Sequence, residues 1–452
     1  MPPSEGPDRL PGRSFLRRSA LLWLVLAALV VRAALVVLEP PAQRVGDEGM
    51  WKAMGRELAS PEVGFSPLRS RLVSHPPLYP YLIGGLLAVF HDPAAIKWAQ
   101  ALLGALLVPA VFLLGNAGYG RRVGLLAAAF AAFDPALVWQ STHLWSEVLF
   151  LALLWWGFER LVRADAVDSL AAAAVAGICW GLATLTRETV FYFAPLVAVW
   201  LAWPRGVQKS VPAFGGGLRR AAVFLLGCAL VIGPWAWRNE QVFGFALPLA
   251  TRGTLNLWKG NTARPWAEVH TQYWLFGSEQ DRHRRAGEEA WREIRAQQPW
   301  WLFRKTIREI PALWGVNNLV VIHLENRAYG PVPTAVNWIL AGVTILPYVA
   351  LLALAVWGLA ATRPERVPIL LVGFLFTYTA LHVVVFGFPR FRLPVMPVVY
   401  LLAADGWYRL REGPPQSAGR RLVVVALALV LAAVVVESLV ETLQHPIFGL
   451  FR

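Results

Sequence analysis

The chain has 452 residues, of which 57% are hydrophobic and only 15% charged, with a mean hydropathy of +0.49. No soluble globular class carries so much apolar residue with so little charge, and the strand alternation of a membrane barrel is absent, so an all-α polytopic membrane protein remains. The net charge of +14 would suggest nucleic acid in a soluble protein. Here most of the excess falls in short loops between apolar spans, and no base-reading motif accompanies it, so no nucleic-acid partner is expected.

Residues 1–19 read as a cytoplasmic tail, because the apolar run that follows is too long for the core of a cleaved signal. Residues 20–38 are long enough to cross a bilayer. Arg32 within them is expected to snorkel outward. A polar loop, 39–96, comes next. It holds Asp47 and Glu48 side by side, then His75 in SHPPLYPYL, where two prolines preset the start of a helix. Its apolar piece 78–90 has 13 residues, which suits an interfacial helix better than a span. If it does not span, the basic clusters from Arg13 to Arg421 fall on one side, as the Lys/Arg bias requires. Further spans are expected over 97–114, 123–140, 144–161, 170–185, 190–203, 220–237, 335–360, 367–386, 394–410 and 422–440. That makes about eleven, with the amino terminus inside and the carboxy terminus outside.

A second outside loop, 238–334, contains a charge-rich helical stretch and then Trp300, Trp301, Phe303 and Trp314, which suit a helix at headgroup depth. The loop is a plausible cover for a site. Cys179 and Cys228 both lie in apolar spans, which disfavours a disulfide or a zinc cluster. His270 and His283 lack metal-ligand spacing and read as loop residues. The aromatic residues are expected to face lipid and its interface.

Several polar residues resist the topology. A carboxylate such as Asp47 can accept the proton of an attacking hydroxyl, with Glu48 beside it as a partner. The pair could equally cap a helix. Arg187, Arg390 and Arg392 sit on the side that basic residues avoid, and Arg238 sits at a helix end. A guanidinium binds phosphate through a planar fork. Glu147 lies within a span, where an acid is a functional candidate by default. A divalent ion such as Mg²⁺ or Mn²⁺ is compatible with Asp47 and Glu48. A transporter or flippase is the rival reading. It would want inverted repeats and ionisable groups at mid-membrane, but no repeat is visible and the polar residues gather at one face.

The strings GDEGMWKAMGREL, HPPLYPYLIG, GYGRRVGLLAAAFAAFDPALVWQSTHLWSEVLF, GLATLTRETVFYFAPL, GPWAWRNEQVFG with LNLWKGN, and PRFRLPVMP occur in that order. Together they resemble the bacterial members of glycosyltransferase family 39, relatives of protein O-mannosyltransferases and lipid A aminoarabinose transferases with the GT-C fold. The resemblance implies one GT-C-like domain over 20–452 in a bacterial cytoplasmic membrane. It implies inverting transfer of a sugar from a polyprenyl-phosphate donor, at the outer face, to a lipid, glycan or protein acceptor. Asp47 takes the place of the acceptor-activating carboxylate, assisted by Glu48. His75 stands where lipid A relatives usually carry a donor-phosphate Lys. Arg187, Arg390 and Arg392 are the expected phosphate-binding arginines, and Tyr79, Glu147, Arg238 and Asn261 are expected to line the site.

Overall fold

A computed structural model describes residues 11–39, 46–70, 72–204, 211–245, 247, 249–412 and 417–448. The first ten residues of the expected tail, the basic pair Arg205 and Lys209, and most of the linker before Ser417 lie outside the described residues. Among the described residues every regular element is helical, as the missing strand alternation requires.

The amino-terminal half contains α1 (Pro11–Leu38), α2 (Glu48–Ala59), α3 (Leu78–Phe90), α4 (Ala94–Gly118), α5 (Arg121–Phe133), α6 (Pro135–Gln140), α7 (Glu147–Ala166) and α8 (Leu170–Thr184). A 3₁₀ turn over Glu188–Phe193 leads into α9 (Ala194–Ala202), and α10 (Val211–Phe243) follows. Five helices fill the second loop: α11 (Arg252–Asn261), α12 (Trp266–Leu275), α13 (Glu279–Ala296), α14 (Trp301–Trp314) and α15 (Leu319–Glu325). The chain returns to the bundle with α16 (Thr334–Ala361) and α17 (Arg366–Val384). A 3₁₀ turn over Pro389–Val395 then leads to α18 (Met396–Arg409) and α19 (Ala418–Leu443).

Six helices, α1 from Ala20 onward, α4, α10 from Gly215 onward, α16, α17 and α19, are long and apolar enough to cross a membrane by length and composition. The remaining expected spans are shorter, broken or more charged. The span expected over 123–140 breaks at Asp134–Pro135, where the Asp134 carboxylate accepts a hydrogen bond from Leu137 N at 3.0 Å and caps α6. α1 starts at Pro11, so the first helix extends into the expected tail.

Two expectations are corrected in the core. Arg32 does not snorkel. It is fully buried, and its guanidinium donates to the carbonyls of Ala28, Ala131 and Ala132 at 2.9–3.2 Å, because the end of α5 supplies carbonyls within its reach. Many aromatics also face inward. Trp155, Phe158, Trp180, Phe193 and Phe374 pack edge-to-face and stacked in the main core.

α14 is built the other way round from a water-facing helix. Its Leu302, Phe303 and Ile307 are exposed, while Lys305 and Glu309 are buried and paired at 2.8 Å. Such a helix suits contact with lipid on its outer side.

Close glycine contacts set the helix crossings. A Cβ at Gly84 of α3 would come 2.7 Å from the Gly55 carbonyl oxygen of α2, and one at Gly55 would strike Ile83. Small residues allow backbones this near, and this crossing holds the start of α2 over the start of α3. Gly55→Val is therefore expected to cost about 1–3 kcal/mol by overpacking. The measurement is the thermal unfolding midpoint of the detergent-solubilised protein. Gly49→Ala, with open space around it, should leave that midpoint unchanged or raise it.

Candidate functional site

Helix ends from distant parts of the sequence meet at one end of the bundle. Gly46, at φ +31°, turns the chain over the Trp145 ring and delivers Asp47 to the start of α2. The Asp47 carboxylate accepts a hydrogen bond from Arg390 Nη2 at 2.9 Å. Arg390 comes from the 3₁₀ turn before α18, and its Nε lies 3.5 Å from Glu147 Oε1. Glu147 opens α7 and is 1% exposed. It also accepts from Arg187 Nη1 at 2.7 Å. Four of the expected residues thus form one chain of alternating charge, Asp47–Arg390–Glu147–Arg187. Aromatic rings wall it: Arg390 lies 5.5 Å from the Trp145 and Phe391 ring centroids, and Arg187 lies 5.4 Å from that of Phe391. The Nε donors of Arg187 and Arg390 are buried without a hydrogen-bond partner among the described residues.

His75 joins from the other side. Its Nδ1 is 3.0 Å from Ser74 Oγ, and Arg252 donates to its Nε2. A guanidinium can only donate, so Nε2 is the acceptor and the ring proton sits on Nδ1. Burial and then the Arg252 charge push the His75 pKa down to about 3, so the ring is neutral at pH 7. It cannot itself supply charge to a phosphate; it orients Arg252, which can. Arg252 also reaches Met50 Sδ at 3.6 Å, and Lys259 lies over the Trp266 ring at 5.5 Å. Among the described residues neither cation has a carboxylate within salt-bridge distance. Both feel the Asp47 charge.

Sequence reasoning missed these two cations. The signal was present in TRGTLNLWKGN, where Arg252 and Lys259 recur seven residues apart and so share a helix face. The many charges of the surrounding loop masked it.

The electrostatics separate the acid pair. Burial is the largest influence on Asp47 and disfavours its charged form, but the charge and hydrogen bond of Arg390 act together with the Arg252 charge against it, and the carboxyl lies below its usual range. Burial raises the Glu48 pKa, against the Leu144 N–H that donates to its Oε1 at 2.9 Å. Glu48 therefore faces the α6–α7 connection and Asp47 faces the arginines.

The other expected residues lie in the supporting structure. Arg392 is buried, donates to the carbonyls of Leu313, Gly315 and Asn317 at 2.7–3.1 Å, and stacks on Tyr348 at 4.1 Å. Arg238 donates to the carbonyls of Pro67, Ser70 and Leu72 and ties the first loop to α10. Asn261 bonds the carbonyls of Leu257 and Val384 and accepts from Trp301 Nε1. Backbone carbonyls thus take the donors expected to meet a ligand. Tyr79 is fully buried behind Trp51, donating to Gln100 Oε1 at 2.9 Å. His270 and His283, expected in loops, lie on α12 and α13. A divalent ion does not fit this arrangement. Asp47 and Glu48 diverge, no three His, Cys, Asp or Glu side chains converge among the described residues, and Arg252 and Arg390 make the surroundings of Asp47 cationic.

Residues 74–233 match the family model of dolichyl-phosphate-mannose-protein mannosyltransferase. No curated protein matches the chain. Among solved structures it is similar to the oligosaccharyltransferase AglB of the archaeon Archaeoglobus fulgidus in complex with an inhibitory peptide and a dolichol-phosphate, at 14% identity and TM-score 0.54, covering 96% of this chain and 56% of that one. The apo form of the A. fulgidus oligosaccharyltransferase aligns at 17% identity and TM-score 0.53, covering 96% of this chain and 56% of that one. ArnT from Cupriavidus metallidurans bound to undecaprenyl phosphate aligns at 14% identity and TM-score 0.39, covering 89% and 78%. The chain therefore spans little more than half the length of the archaeal enzyme. It is a multi-pass helical membrane protein of the GT-C fold that carries, over residues 74–233, the likeness of the dolichyl-phosphate-mannose-protein mannosyltransferase family.

Proposed function

We propose that the protein transfers a sugar from a polyprenyl-phosphate donor to an acceptor hydroxyl or amine, with inversion, at the outer face of a bacterial cytoplasmic membrane. The observation that carries this reading is the pairing of a carboxylate with surplus cations. Asp47 lies against Arg390, and Arg252 is held beside them by a neutral histidine, with no carboxylate at salt-bridge distance among the described residues. A site with a base and uncompensated positive charge suits an anionic leaving group. The dolichol-phosphate held by the archaeal neighbour is a ligand of that chemistry. The Lys/Arg bias of the short connections in the sequence supports an outside location for this end.

In the step, the acceptor oxygen or nitrogen attacks the anomeric carbon and its proton passes to an Asp47 oxygen. The bond from that carbon to the phosphate oxygen breaks, and the electron pair leaves with the polyprenyl phosphate. Arg252 and Arg390, with Lys259 nearby, stabilise the charge that develops there. Glu147 orients Arg390 and Arg187, and Glu48 fixes the α6–α7 connection. As Arg390 turns toward the phosphate it weakens its hold on Asp47, so a bound donor makes the carboxylate a better base.

Asp47→Asn should lower transfer about 10²–10⁴-fold while donor binding persists. Transfer from lipid-phosphate sugars at the wild-type rate would remove Asp47 from the mechanism. Arg252→Ala should lower kcat/KM for the donor about 10–100-fold, the worth of one charged hydrogen-bonding group, with kcat falling as well because the charge that develops on the leaving phosphate loses a partner. The pH profile gives a third check. Arg390 lowers the Asp47 pKa against burial, which raises it. In Arg390→Gln the acid limb of kcat/KM should therefore move to higher pH, while in the wild type it lies below the ordinary carboxylate range. An unchanged limb would mean that Asp47 is not the titrating base.

A further inference from the structure

One face of α12 is not explained by the charge cluster. Trp266, His270 and Trp274 recur every four residues and so line one side of the helix, about 12 Å from end to end at 1.5 Å per residue. Each tryptophan is 50% exposed. The helix is held firmly from behind. Val269 and Tyr273 are buried in a small core with Leu255 and Trp258 of α11 and with Ala286 and Ala290 of α13.

The face continues into the candidate site. Trp266 meets Phe386 edge-on at 5.2 Å, Phe386 meets Phe391 at 5.4 Å, and Phe391 carries Arg390. Lys259 lies over Trp266, and His270 senses the charges of Lys259 and Arg252. Trp274 Nε1 lies 3.3 Å from His270 Nε2 and donates to it. Two flat apolar rings therefore alternate with hydrogen-bonding groups along a line that runs up to Asp47.

That alternation is the complement of a sugar chain. A pyranose offers an apolar C–H face to an indole and a rim of hydroxyls to nitrogen donors and acceptors. A lipid tail would want an unbroken apolar surface, and α14 presents one in Leu302, Phe303 and Ile307.

We propose that this face of α12 is a sugar-stacking platform, which holds a glycan acceptor with one end at Asp47. The acceptor role rests on the transferase reading above; the platform as a carbohydrate site does not. The test is equilibrium dialysis of the detergent-solubilised full chain against radiolabelled mannose and mannotriose. The trisaccharide should bind more tightly than the monosaccharide. Trp266→Ala and Trp274→Ala should each weaken it about five- to tenfold, the scale of one aromatic contact, and Trp→Phe at either position should restore most of the binding. In transfer assays Trp274→Ala, whose ring touches none of the cations assigned to the donor, should raise KM for a glycan acceptor and leave kcat and the donor KM unchanged. Equal binding of the two sugars, or alanine variants that bind like wild type, would overturn the platform. So would a defect confined to retention on phosphatidylglycerol vesicles, which would make the tryptophans a membrane contact. If the trisaccharide binds through the two tryptophans but the wild-type protein transfers no sugar from lipid-phosphate donors, the transferase reading falls and the carbohydrate site stands.

Discussion

Glu147 is a carboxylate buried at the end of a helical bundle, and its charge organises the site. An unpaired charge there would cost several kcal/mol. Arg187 at the end of α8 and Arg390 before α18 both meet it. Satisfying one buried acid thus brings three separate helix ends to one point. Arg390 still has donors to spare, and one of them reaches Asp47 on the first loop. The position of the candidate base follows from the electrostatic needs of a residue one hundred positions away in sequence.

The loops are held by similar means. Arg238 gathers the carbonyls of Pro67, Ser70 and Leu72, and Arg392 gathers those of the end of α14 and of the connection that follows it. These arginines replace the water that would otherwise satisfy irregular backbone near a membrane. Five donors in a fixed fork suit that task as well as they suit a phosphate. Residue type and exceptional location therefore do not separate a structural arginine from a ligand-binding one. Their partners do: Arg238 and Arg392 are taken up by carbonyls, whereas Arg252 rests on a neutral histidine.

The second loop is more than a cover. Its helices α11 to α13 enclose their own small core and dock on the first loop through Arg252 and His75 and through Thr251 N, which donates to the Val73 carbonyl at 3.0 Å. Cations and aromatic rings arrive at Asp47 on a rigid support. This suits a site whose charges must be in place before a leaving group develops its own.

The sequence by itself determined the class of the molecule. Hydropathy and low charge dictate helices in lipid, because nothing else satisfies the backbone there. The length of the piece Leu78–Phe90 marked a short helix with the bounds observed. Local chemistry also marked Asp47, Glu147, Arg187 and Arg390 as misfits, since a charge near a helix mouth is visible in one dimension. Only the tertiary structure decided which misfits meet. Arg390 reaches Asp47 across 343 positions and Arg252 reaches His75 across 177, distances over which no periodicity carries information. The place of Arg32 follows from the same limit. Whether a buried cation snorkels or stays depends on carbonyls about a hundred residues away, at Ala131 and Ala132.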